Sequence, residues 1–156
     1  MKFQLYREQQ LHCNIETAWS FFSSPVNLAK ITPPYMGFTI LSGLPASETV
    51  EGMVIEYRVS PILGIPLKWV TRIKQVTKNE SFTDFQEKGP YKFWNHFHQF
   101  IPNETGVLMK DTIDYELPFG IFGNIAHKLF VRRQLENIFN YRYQILSERF
   151  NQKHNI

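Results

Sequence analysis

The chain has 156 residues, 43% hydrophobic and 20% charged, with a formal net charge of +3 at pH 7. That balance excludes a disordered or fibrous chain and fits one globular domain over residues 1–156 that needs no disulfide to hold it. The sequence pI is about 9.0, yet the charge excess is too small for a duplex-binding surface, so nucleic acid is disfavoured as a partner. Aromatic residues reach 15%, with Phe 14, Tyr 7 and Trp 3, which is more than a core of this size requires. Such an excess suits a chain that lines a cavity as well as filling a core. The single Cys13 and an N-terminus interrupted by Lys2, Arg7 and Glu8 point to the cytoplasm. No apolar stretch is long enough to span a membrane. Two Asn-x-Ser/Thr sequons, at Asn79 and Asn103, fall where hairpin turns are expected and carry no weight without secretion.

Residues 2–12 alternate around Phe3, Leu5 and Leu11, which predicts a strand. Asn14 then caps a short helix whose apolar face is Ala18, Trp19, Phe21 and Phe22, and Ser23-Ser24-Pro25 ends it. A second helical piece over about 26–30 stops at Thr32-Pro33-Pro34. The pattern next changes to short strands near 37–42, 52–59, 67–76, 81–88, 91–101 and 107–117. The breaks at 43–45, 60–66, 78–80, 89–90 and 102–106 have hairpin length, so the sheet should be antiparallel. After Pro118-Phe119-Gly120, apolar residues from Ile125 to Leu146 recur at helix spacing until about 150. The expected fold class is therefore α+β, a curved antiparallel sheet of about seven strands around one long C-terminal helix. A long helix cannot fill a strongly curved sheet, and the gap is a natural ligand cavity.

Several segments carry a further resemblance. They are Ala18-Trp19-Ser20-Phe21-Phe22-Ser23-Ser24-Pro25-Val26-Asn27-Leu28, Ile31-Thr32-Pro33-Pro34, Phe82-Thr83-Asp84-Phe85-Gln86 and Gly89-Pro90-Tyr91. They continue through Trp94-Asn95-His96-Phe97-His98-Gln99-Phe100, Met109-Lys110-Asp111, Tyr115-Glu116-Leu117-Pro118-Phe119-Gly120 and Ile138-Phe139-Asn140-Tyr141-Arg142. In this order they resemble the helix-grip proteins of the SRPBCC superfamily: birch-pollen allergens, START lipid-transfer domains and polyketide cyclases. More narrowly, they are similar to the small bacterial stand-alone ligand-binding SRPBCC proteins. The resemblance implies an apolar pocket between sheet and C-terminal helix. It leaves activity open, because the superfamily includes carriers, cyclases, hydratases and co-chaperones.

The residues themselves narrow the site. His96 and His98 are two apart on a strand, so they share a face with Trp94 and Phe100, with their imidazoles about 7 Å apart. Zinc would need at least a third protein ligand, and Asp84 or Asp111 serves only in certain registers, so a hydrogen-bonded pair is preferred and no metal or cofactor is expected. If the 89–90 turn pairs Gln86 with Trp94, Asp84 lies opposite His96 and Phe82 opposite His98. With a bulge at Gly106, His96 also neighbours Asp111. One face then collects Asp84, Gln86, His96, His98 and Asp111. Arg142 sits in the apolar stripe of the helix and is expected to pair with Asp84 or Asp111. Trp69, Phe82, Trp94, Phe100, Tyr115 and Phe139 supply cavity wall, with Tyr57 nearby.

Three functions use these residues. The first is binding of a small hydrophobic or aromatic molecule, such as a lipid, polyketide or quinone, without turnover. The second is a cyclase, dehydratase or hydrolase with His96 and Asp111 as acid and base. The third is docking on a large partner through the basic residues Lys128, Arg132, Arg133, Arg149 and Lys153 of the last helix. Exposed apolar loops leave monomer and homodimer open.

Overall fold

The computed structural model describes residues 1–43, 48–62 and 64–151. Strands β1 (Lys2–Leu11), β2 (Thr39–Ile40), β3 (Val54–Ile62), β4 (Ile65–Thr77), β5 (Ser81–Lys88), β6 (Phe93–Asn103) and β7 (Gly106–Glu116) form one sheet. Its order is β1-β7-β6-β5-β4-β3-β2, antiparallel throughout. Between β1 and β2 lie α1 (Ile15–Phe22), α2 (Pro25–Leu28) and two single turns. The chain ends in α3 (Gly120–Ala126), a π turn (His127–Val131) and α4 (Arg132–Phe150). This is the helix-grip arrangement expected from the sequence.

Local chemistry explains most boundaries. The Asn14 side chain accepts the Thr17 N–H at 2.8 Å, so α1 starts where its cap predicts. Two expectations are corrected. The break expected over 60–66 is shorter: β3 runs on through Ile62 and β4 begins at Ile65, so Pro61 and Pro66 lie at strand ends near the hairpin tip. Leu63 and residues 44–47 lie outside the described residues, as does Lys153. Gly106 makes no bulge. It pairs with Asn103 across the two-residue turn Glu104-Thr105, and a Cβ there would meet the Leu11 carbonyl at 2.2 Å. Glycine is needed at this close approach with φ +135°.

Three buried apolar clusters occur among the described residues, the smallest being Met36, Val59 and Trp69. Leu11, Trp19, Phe21, Phe82, Phe100, Val107, Met109 and Leu146 form a continuous apolar core under α1. Farther along, Leu5, Ile113, Tyr115, Val131, Leu135 and Phe139 pack helix against sheet. Gln9 fastens the helix to β1 by donating to the Tyr143 carbonyl and to Ser147 Oγ, at 3.0 and 2.9 Å. The π turn buries His127 and Val131 and leaves Lys128, Leu129 and Phe130 exposed. Phe119, Ile121, Phe122 and Leu129 are between 73% and 83% exposed, an apolar row on the solvent side. No helix among the described residues is long and apolar enough to cross a membrane.

Candidate ligand-binding site

Strand register assembles the polar residues. Asp84 lies opposite His96 and Phe82 opposite His98, in the expected pairing. In the next hairpin His98 faces Asp111 directly, and His96 faces Ile113. His96 therefore reaches Asp111 diagonally, not through a bulge at Gly106. The two imidazoles tilt together, with ring centroids 3.8 Å apart instead of the spacing expected from the backbone, because both reach for the same carboxylate.

The result is a buried chain of alternating bases and acids. His98 Nε2 donates to Asp84 Oδ2 at 3.1 Å. Its Nδ1 lies 2.9 Å from Asp111 Oδ1, a close charge contact whose angle is poor for a hydrogen bond. His96 Nε2 donates to the same Oδ1 at 2.8 Å. Burial alone would lower the pKa of His98, but the Asp84 charge and the contacts to both carboxylates outweigh it and push it up to about 9. His96 goes the other way, to about 4, because burial and the neighbouring His98 charge exceed what Asp111 returns. Burial opposes ionisation of Asp111, yet His96 and His98 hold its carboxyl well below the usual range. At neutral pH the chain thus contains one imidazolium, one neutral imidazole and two carboxylates.

Beside this chain lies a cavity of about 100 Å³, partly open to solvent. Its walls include Tyr57, Trp69, Tyr91, Trp94 and Phe139, and its polar floor is Asp84, His96 and Arg142. Trp69 and Trp94 meet edge to face at 5.3 Å, while Tyr57 stacks on Trp69 at 5.9 Å. A void of about 40 Å³ adjoins it and shares Leu28, Asp84 and Arg142; another of about 50 Å³ lies against Asp111 and the far side of Arg142. Arg142 is buried and directed at the sheet, as expected. It does not pair with either aspartate: among the described residues no carboxylate comes within 4.0 Å, and its Nε has no hydrogen-bond partner. Its guanidinium lies over the Phe139 ring, 4.7 Å from the centroid, because the histidines already occupy the carboxylates.

The other expected site residues disperse. Trp69, Asp84, Trp94, His96, Phe139 and Arg142 line the main cavity, while Phe82 and His98 line the smaller void. Gln86 does not: its amide donates to the Tyr91 carbonyl at 2.7 Å and clamps the turn before β6. Phe100 belongs to the apolar core under α1. Tyr115 turns away to share a 2.8 Å hydrogen bond with His127, which stacks on Phe3. Leu28, Thr32, Phe38, Val59, Tyr91, Leu135 and Ile138 also line the main cavity, beyond the cavity residues the sequence singled out. For Ile138 the helix stripe was the available signal; for Tyr91, in a turn, there was none.

The donor atoms of Asp84, His96 and His98 lie within 4.8 Å of one another, enough to hold a metal by three ligands. A metal there would have to expel the His98 proton and break its bond to Asp84.

No family model matches the chain, and no curated protein matches it. Solved structures do. A Thermus thermophilus protein is 18% identical with a TM-score of 0.63, covering 96% of both chains. A Thalictrum norcoclaurine synthase mutant, solved with a transition-state analogue, is 12% identical with a TM-score of 0.65, again over 96% of both. A nucleoside-diphosphate sugar epimerase of Corynebacterium glutamicum matches at 21% identity and 0.64, over 92% of this chain but 28% of its own. The fold is birch-pollen-allergen-like. At these identities the likeness of the helix-grip chain to its neighbours concerns architecture alone, and the site must be argued from its own residues.

Proposed function

We propose that this helix-grip chain binds one compact, largely apolar molecule in the cavity and does not transform it. The observation that carries this reading is the void itself. Native interiors leave few gaps larger than a water, whereas here about 100 Å³ stays open among packed aromatic rings beside a polar floor. A dry cavity of roughly 150 Å³ takes a benzene, so a ligand of about one ring fits once the adjoining void is shared. A long acyl chain does not fit at this volume, which narrows the expected lipid, polyketide or quinone to short or single-ring compounds. Both groups that an enzyme would need are engaged: His96 is a weak base with a pKa of about 4, and Asp111 is held by two histidines. The same reading places the chain, as a single cytoplasmic domain, with the stand-alone ligand-binding SRPBCC proteins.

Native mass spectrometry, repeated after organic extraction, tests it. A stoichiometric small molecule is the expected result, and Trp94→Ala should lose that molecule while retaining a cooperative unfolding transition. An empty protein whose amide spectrum is also unmoved by toluene would contradict the proposal.

A second reading, docking on a larger partner, draws on the exposed row Phe119, Ile121, Phe122 and Leu129 beside the exposed cations Lys128, Arg132 and Arg133. This pairing of apolar and basic side chains suits an anionic lipid surface. Co-sedimentation with phosphatidylglycerol vesicles but not phosphatidylcholine vesicles is expected; sedimentation with neither removes this reading.

A further inference from the structure

We infer that the cavity selects a neutral ring compound bearing a carbonyl oxygen, and that this oxygen accepts N–H groups of Arg142 and Trp69. The inference rests on the cavity-binding reading above and adds the chemistry of the ligand. Arg142, from the helix, and Trp69, from β4, are each 7% exposed and line the same cavity. Arg142 Nε and the Trp69 indole Nε1 are buried donors with no acceptor among the described residues. Buried N–H groups nearly always find partners, and of the five buried side-chain atoms without one among the described residues, these are the two whose residues line this cavity.

Charge decides which acceptor fits. Asp84 and Asp111 carry two negative charges, and His98, wedged between them, returns one positive charge. Arg142 supplies the second, so with His96 neutral the cluster sums to zero. Arg142 Nε lacks an acceptor among the described residues, not counter-charge. A carboxylate would add net charge to a buried, already balanced site, next to Asp84. A hydrocarbon would leave both donors unpaired. A carbonyl supplies lone pairs while bringing neither charge nor a further donor.

Cyclohexanone and methylenecyclohexane differ only in C=O against C=CH₂ and serve as matched probes. Their affinities are measured by amide chemical-shift titration of the full chain and of Arg142→Met. The ratio favouring cyclohexanone should fall about tenfold or more in the variant, the scale of a hydrogen bond to a charged group. On the unmodified chain, the carbonyl stretch of bound cyclohexanone should lie at or below its frequency in water. A ratio unchanged in Arg142→Met, with a stretch matching that in hexane, would overturn the carbonyl assignment and leave the cavity reading standing. Absence of binding by either probe would overturn both. Benzoate binding that is tighter than cyclohexanone and lost in Arg142→Met would replace the neutral acceptor with an anion.

Discussion

Aromatic rings fill both ends of the space between sheet and helix, but the two ends are finished differently. Under α1, Trp19, Phe21, Phe82 and Phe100 pack against Leu11, Val107 and Leu146, with polar groups only at the margins: His98 on Phe82 and Glu48 at the Trp19 indole N–H. Toward the π turn, Trp69, Trp94 and Tyr91 stop short of closure and face Asp84, His96 and Arg142 across a void. His98 and Asp111 sit on the seam, His98 stacked on Phe82 at 4.4 Å and hydrogen-bonded to Asp84 on its other side. The first region contributes stability through burial; the second buries acids and histidines that pair with one another and leaves Arg142 Nε and Trp69 Nε1 without a partner among the described residues. Similar aromatic composition therefore builds an apolar core in one place and frames a polar cluster in the other. What separates them is where the β6–β7 register puts acids and bases.

The comparison can be broken first at its apolar end. Trp19→Ala should cost about 3–5 kcal/mol in chemical denaturation, because Trp19 is 1% exposed and packs edge-on against Phe82 and Phe100. A loss under about 1 kcal/mol would mean that the region is not the core described. Asp111→Ala should cost nearly as much, about 3 kcal/mol, by stripping His96 and His98 of a shared partner; Asp111→Asn should cost less.

The pH profile sharpens the contrast. His98 binds its proton more tightly folded than unfolded, so its contribution is complete below about pH 6.5 and is lost as pH rises through about 9. That limb spans on the order of 3 kcal/mol at 1.36 kcal/mol per pKa unit. His96 binds its proton more weakly folded, so stability is also lost as pH falls from about 6.5 toward 4. Maximum stability should lie near pH 6.5. His98→Gln should flatten the alkaline limb, and an unchanged limb would place the titrating group elsewhere. At the smallest scale, Phe122→Ser should alter unfolding free energy by under about 0.5 kcal/mol, since its 78% exposed ring touches neither region. A larger loss would mean that the row supports the fold.

Much of this contrast was readable in the sequence. Alternation in 107–117 identified Asp111 as a carboxylate on an apolar face, and the helix stripe identified Arg142 as inward-facing. The β5–β6 register that gathers Asp84, His96 and His98 on one face is the one observed. What failed were choices among neighbours at close range. Arg142 was expected on an aspartate, but two histidines compete for the same oxygens and reach them first from the adjacent strands. Gln86 alternates inward yet spends its amide on the turn. Tyr115 also alternates inward, and only the π turn brings His127 close enough to take its hydroxyl. Spacing shows which face a residue occupies, whereas partner choice depends on distances of a few tenths of an ångström.

The central claim is that the polar end is a charge-balanced chain of acids and histidines bordering the cavity. Nitrogen-15 chemical shifts of the histidine rings at pH 7 test it most directly. His98 should show two protonated nitrogens, and His96 one, on Nε2, with an unprotonated Nδ1. A neutral His98, or a protonated His96, would contradict the charge count on which the site rests.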